Sequence, residues 1–395
     1  MKRRNHYRAL LALQQVPELG LRRIKLLLDK TGVENASDIF KLKMHDLLRI
    51  DGFGRYVVQN ILDFKNWRKV DEILEKTEKT GADFVSIDDA EYPNLLRHIY
   101  DPPILLWIKG NKKALNLDGV AVIGTRRPGK YGVNQVGVWV KKLVENGLCI
   151  NSGLAYGIDA IAHREALQAS GKTVAVLGSG IDVIYPAKNS SLVHRMIEKG
   201  GAVITEYPPG TPPDAVNFPE RNRIVSGMSH GVLVIESGIK GGSMITARSA
   251  LDQNREVFVV PHMLNYTGGE GCNYLIKSGQ GKLIQTISDI LDEISVHTGN
   301  QSETSSEPVA KKWESMDLNE ESKLICKLLQ EGEVHIDQIS EKTGKPVYTL
   351  QSVLLDLEMK GAIKQKAGKY FQLSSHGSRF KVQGSRFKVL TRKSG

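Results

Sequence analysis

Residues 217–223, Asn-Phe-Pro-Glu-Arg-Asn-Arg, crowd groups suited to an anion into one short stretch. Arg221 and Arg223 flank Asn222, and each offers a forked donor that matches a phosphate bidentately. Asn217 opens this polar cluster, and Phe218-Pro219 follows it directly. Downstream, the apolar run Val232–Ile235 ends at Glu236-Ser237, and Gly241-Gly242-Ser243 leads into a helical pattern. A helix start of this kind offers unpaired N–H groups and a partial positive charge, and glycine lets a phosphate come close. The same glycines are equally what a tight strand-to-helix turn needs, and this stretch alone leaves both readings open.

Other apolar runs end in similar loops. They are Gly124-Thr125-Arg126-Arg127-Pro128-Gly129, Ser152-Gly153-Leu154-Ala155-Tyr156-Gly157, Gly178-Ser179-Gly180 with Tyr185 to Asn189, and Glu206-Tyr207-Pro208-Pro209. On one sheet edge they would pool glycine backbone, small hydroxyls and the cations Arg126, Arg127, Lys188, Arg221 and Arg223, which points to a phosphate-bearing ligand. No G-x-G-x-x-G with a following acidic residue occurs, which disfavours NAD, and no G-x-x-x-x-G-K-[ST] occurs, which disfavours a P-loop ATPase. Catalytic candidates are thinner. Asp159 and His163, four apart on a helix, could be a base and its orienter, but a capping aspartate with a packed histidine is the preferred reading. Glu206 and Glu236 lack an evident partner, Ser152 and Ser243 lack an adjacent base, and Cys272 reads as core. No metal-ligand spacing is present. The balance favours a binding site without cofactor over an active site.

The elements that must carry these loops form an α/β pattern. Short apolar runs at Val120–Ile123, Leu148–Asn151, Val174–Leu177, Ala202–Thr205, Val232–Ile235 and Glu256–Val260 read as parallel strands covered on both faces. Helical stretches at 132–146, 159–169, 191–199, 222–228 and 244–254 alternate with them, giving a Rossmann-like, doubly wound, mostly parallel sheet. Ligands of such sheets lie beyond the carboxyl ends of the strands.

Around this core (residues 81–293, with a proline-punctuated lead-in to 118) the chain divides further. Residues 1–80 read as a helical unit with a helix–hairpin–helix turn at Ile50-Asp51-Gly52-Phe53-Gly54 and a degenerate copy at Pro17 to Arg23. Residues 294–310 read as a linker, 311–373 as a winged helix with 347–360 in the recognition position, and 374–395 as a basic, disordered tail that repeats Gly-Ser-Arg-Phe-Lys-Val. The net charge of +10 is concentrated at the ends: residues 1–80 and the tail carry +6 each, and the core is neutral. A polyanion partner therefore needs a local cationic groove in the core. Three separated cysteines imply a reducing, cytoplasmic setting, and neither a signal peptide nor a membrane span is evident.

Five ordered motifs resemble the DNA-processing protein A (DprA/Smf) family, mediators of natural transformation. They are Val122 to Pro128; Ser152 to Asp159 with Ala162-His163; Leu177 to Gly180 with Tyr185-Pro186; Phe218-Pro219 with Arg221 to Ile224; and Glu236 with Gly242 to Ala247. The resemblance implies a homodimer that binds single-stranded DNA without sequence preference and hands it to the RecA recombinase, without catalytic turnover. It implies that Arg126 holds a phosphate, that Ser152 and Gly153 supply donors, and that residues 218–223 clamp the backbone and stack a base. Lys188 and the Gly242-Ser243 helix start are the next contacts it implies. The duplicated tail departs from the family pattern. Two further readings are a nucleotide phosphoribohydrolase, whose P-G-G-x-G-T-x-x-E turn compares with Gly241-Gly242-Ser243-Met244-Ile245-Thr246 here, which lacks the later glutamate, and a nucleotide-sensing regulator with the winged helix as output.

Overall fold

Glycine and polar turns break the first eighty residues into short amphipathic helices: α1 (Lys2–Leu13), α2 (Leu21–Thr31), α3 (Met44–Leu48), α4 (Arg55–Leu62) and α5 (Trp67–Thr80). Gly52 joins α3 to α4 at φ +87°, a conformation glycine adopts without strain. The computed structural model describes residues 2–33, 35–298, 313, 316, 318–332, 334–366 and 370–373. The chain divides into two units, Met1–Asn300 and Gln301–Gly395.

After the helices come β1 (Asp83–Ser86) and β2 (Leu105–Gly110). The α/β alternation follows as β3 (Gly119–Ile123), α6 (Lys130–Glu145), β4 (Cys149–Ser152), α7 (Ile158–Gln168), β5 (Thr173–Val176) and α8 (Ser190–Glu198). It continues through β6 (Ala202–Thr205), α9 (Asn217–Gly227), β7 (Gly231–Val234), α10 (Gly242–Asp252), β8 (Glu256–Val259), α11 (Glu270–Lys277), β9 (Lys282–Leu283) and α12 (Ser288–Thr298). The sheet order is β1-β2-β6-β5-β4-β3-β7-β8-β9, parallel from β6 to β9, with β1 and β2 added antiparallel at one edge.

Both faces of the sheet are buried, and the two-residue period of a strand splits its side chains between them. Val120, Val122, Leu233 and Ile235 join Val136, Trp139 and Val140 of α6, Ile158 and Ala162 of α7, and Ile290 of α12. Ala121, Ile123, Val232 and Val234 join Ile224 and Val225 of α9, and Ala247 and Ala250 of α10. Each such buried aliphatic contributes about 1.5–3 kcal/mol, so strand register is firmly specified. The N-terminal helices share the second of these cores, and Tyr7, Phe84 and Trp107 stack in series at 5.1 and 5.4 Å. The lead-in is thus the antiparallel edge of the sheet.

The strand order reverses beside β3: the chain winds outward through β4, β5 and β6 on one side, then returns to place β7 on the other. Ile123 pairs with Val234, so the loops after β3 and β7 leave the sheet side by side. This topological switch point is where open α/β sheets leave a crevice for ligands.

The second unit is a winged helix with its own core. Its elements are α13 (Glu320–Leu328), β10 (Val334–His335), α14 (Ile336–Thr343), α15 (Val347–Met359), β11 (Ile363–Lys366) and β12 (Tyr370–Leu373), with strand order β10-β12-β11. Ile325, Ile339, Leu350, Leu354, Leu357 and Phe371 are buried together. Helix α12 runs to Thr298, into the stretch read as linker; the rest of that stretch and the tail 374–395 lie outside the described residues. No helix among the described residues is long and apolar enough to cross a membrane.

Candidate nucleic-acid interface

The crevice at the switch point is a cleft of about 700 Å³. Loops following β3, β4, β5, β6 and β7 converge on it, with the first turns of α9 and α10. Among the expected contacts, Arg126, Gly153, Phe218, Arg221, Asn222, Gly242 and Ser243 line it.

Arg126 is exposed, and its guanidinium lies 5.7 Å from the centre of the Phe218 ring, within cation–π range. Tyr185 tilts against Phe218 at 5.6 Å. A Cβ at Gly178 would come within 2.9 Å of Phe218 Cδ1, so that glycine makes room for the ring. Cation and two rings form one platform with a positive rim.

Helix α9 begins at Asn217, five residues before the expected Asn222. Pro219 falls in its first turn, where its missing N–H has no helical partner to lose. At 100° per residue, residues 218, 221 and 222 share a face, and residue 223 points about 140° away from 218. Arg223 is accordingly absent from the cleft. It pairs with Glu206 at 2.5 Å and Asp101 at 3.2 Å in a separate groove of about 980 Å³ that also contains Glu220 and Asp252.

Arg221 reaches the cleft wall but is only 3% exposed. Its Nη1 donates to the Gly153 carbonyl at 2.6 Å and to the Val176 carbonyl. Asp159 accepts the Gly153 N–H at 3.1 Å, so buried groups of opposite charge hold both backbone atoms of that glycine. Burial pushes the Arg221 pKa down to about 10, opposed by the nearby Asp159 carboxylate, and burial raises that of Asp159. Arg221 remains charged at neutral pH, but its Nη1 and Nε donate within the chain itself.

The other expected contacts differ again. Ser152 is buried and donates its hydroxyl to the Val122 carbonyl at 2.7 Å. Arg127 is exposed beside Arg126, and its N–H donates to Thr125 Oγ1. Lys188 is exposed on the turn Ala187–Asn189, whose Asn189 donates to the Leu154 carbonyl at 2.9 Å. Asn217 is half-buried, and its carbonyl accepts from Tyr207 Oη at 3.4 Å. None of these four lines the cleft.

Helix starts at this edge are used unequally. Glu236 accepts the N–H of Gly129, immediately before α6, and the Thr125 carbonyl accepts the Ile158 N–H at the head of α7. Helix α10 presents Gly242 and Ser243 to the cleft, with the unpaired first-turn N–H groups common to helix starts. Ser243 Oγ donates to Ser237 Oγ at 2.7 Å. His163 is fully buried away from the cleft, and burial pushes its pKa down to about 3. Its Nδ1 lies 2.6 Å from Thr173 Oγ1, which donates to the Ile150 carbonyl, so the histidine is a neutral, packed group.

Sequence reasoning left Tyr185, Thr125 and Ser237 out of the contact set, although all three line the cleft. The signal was available for Tyr185, an aromatic in the same strand-end loop as Lys188.

The profile described as DNA recombination-mediator protein A matches residues 83–295, more than half of the chain. The chain belongs to this family. A second profile, the DprA winged helix domain, matches residues 310–369 of this family member. Protein Smf of Escherichia coli is 35% identical over 332 residues, covering 83% of this chain and 87% of that protein. DNA processing protein DprA of Streptococcus pneumoniae is 42% identical over 277 residues, 65% of this chain and 97% of the relative. The solved structure of DprA from Streptococcus pneumoniae superposes with TM-score 0.62 at 34% identity, covering 73% of this chain and 97% of that one. The recombination-mediator core thus accounts for the sheet and its cleft, and the winged helix for the second unit.

Proposed function

We propose that this protein binds single-stranded DNA without sequence preference in the switch-point cleft, protects it and passes it to a RecA recombinase, acting as a homodimer and without turnover. The observation that carries the DNA-binding part is the Arg126–Phe218–Tyr185 platform facing the start of α10 in one cleft. A cation and rings that stack any base, beside backbone donors for phosphate, hold a strand without reading it. Membership of a recombination-mediator family supports the transfer step. The hydrolase alternative finds less support: Glu236 is absent from the cleft lining, and His163 is neutral and packed.

Gel shifts with single-stranded and duplex DNA at two salt concentrations test the proposal. The expected result is preference for the single strand, little difference among base compositions, and affinity falling steeply with salt as counterions are released. Preferential duplex binding, or salt-insensitive binding, would overturn it.

A further inference from the structure

Glu236 is a buried carboxylate at the switch point, 1% exposed, and DNA binding in the cleft gives it no direct task. Its backbone carbonyl and its carboxylate both reach the 125–129 loop, and Tyr266 approaches the carboxylate from a separate segment. The Glu236 backbone carbonyl accepts the Thr125 N–H at 2.8 Å. Its carboxylate accepts the Gly129 N–H, at 3.0 Å to Oε1 and 3.2 Å to Oε2, and Tyr266 Oη donates to Oε1 at 2.9 Å. A Cβ on Gly132 would lie 2.1 Å from Oε2, so the carboxylate is pressed against the first turn of α6, where the helix dipole favours a negative charge. Residues 125 and 129 are therefore tied to one residue, and Arg126 and Arg127 occupy the span between the ties.

Arg126 is exposed, so its position over Phe218 depends on where its backbone is held. We infer that Glu236 is a positioning residue: it fixes the 125–129 loop so that Arg126 stands over the Phe218 ring, and it acts on nucleic acid only through Arg126. This rests on the proposed single-strand cleft for its functional consequence but not for its geometry. A carboxylate at this strand end is where a hydrolase would keep an acid or base. Here both oxygens face donors from the chain.

A double-mutant cycle with a fluorescent oligothymidylate, read by anisotropy on the full chain, tests the inference. Glu236→Ala is expected to weaken binding about five- to tenfold, and Glu236→Ala with Arg126→Ala to be no weaker than Arg126→Ala alone, the non-additivity of residues acting as a unit. Glu236→Gln keeps an oxygen for Gly129 and should stay within about twofold of the unaltered protein. Losses that add, or a Glu236→Ala variant that binds normally while Arg126→Ala does not, would overturn the assignment. Amide exchange at Gly129, measured without DNA, separates the two claims. Faster exchange in Glu236→Ala supports the tie even if Arg126→Ala leaves DNA binding unchanged and the cleft reading falls; unchanged exchange removes the tie itself. Should Glu236→Ala fail to fold, Glu236→Asp withdraws the carboxylate by one methylene and serves in its place.

Discussion

At the scale of single residues, two arginines with the same side chain have opposite assignments. Arg126 is exposed over an aromatic ring, while Arg221 is spent on the carbonyls of Gly153 and Val176. Arg126→Ala should weaken binding to all single-stranded sequences alike and flatten the dependence of log affinity on log salt by about 0.7, the share of one phosphate contact on a single strand. Arg221→Ala should leave that slope unchanged and instead cost about 3 kcal/mol in stability, because buried carbonyls lose a charged donor; urea unfolding and salt titration together check the pair. The sequence identified Arg221 as a donor but not its targets, which lie 68 and 45 residues away and are backbone atoms without any sequence signature. His163 gives a pH test. Its folded pKa of about 3 lies below the unfolded value of about 6.5, so between these the unfolded chain holds the extra proton. Stability should therefore fall as pH drops below about 6.5, by about 2 kcal/mol from this group at pH 5, and be independent of it above. Denaturation midpoints from pH 7.5 to 5 should show this slope, and His163→Gln should reduce it.

At the scale of elements, most of the core strands and helices were legible, because buried parallel strands announce themselves as unbroken apolar runs between helical stretches. Several were not: α11, β9 and α12 went unread, and two further cases have a clear physical reason. Strand β2 was hidden behind Pro102-Pro103, and its antiparallel pairing to β6 is a long-range contact that no local pattern encodes. The start of α9 was hidden because Asn217 to Arg223 is polar and proline-bearing, which reads as loop; as helix, the same residues divide between two faces, and Arg223 leaves the predicted site. Helix α10 provides the test at this scale. Gly242 is exposed at its first position, and a Cβ there meets nothing within 4 Å. Gly242→Asp should hold or raise the melting temperature, since an acidic residue suits a helix start and glycine is a poor helix former. The same charge in the cleft should lower single-strand affinity several-fold by repelling phosphate. Opposite signs in the two measurements would separate an anion-receiving helix start from a merely structural turn; unchanged DNA affinity would remove α10 from the interface.

At the scale of the whole molecule, the charge map and the two units point to different roles. The described core holds the cleft, yet the formal excess of charge lies in residues 1–80 and 374–395. The winged helix carries no arginine or lysine in α15, Val347–Met359, the position that reads bases in duplex-binding relatives of this fold. That helix instead exposes Leu355 and Met359, at 58% and 76%, beside Asp356. A helix of this composition cannot neutralise phosphates, so it adds little to affinity for nucleic acid. Ending the chain at Thr298 should therefore leave single-strand affinity within about threefold at physiological salt. A larger effect at low salt alone would reflect the tail's basic residues, whose attraction to phosphate is screened as ions are added. A tenfold loss that persists at physiological salt would move a principal contact out of the switch-point cleft and into the C-terminal unit.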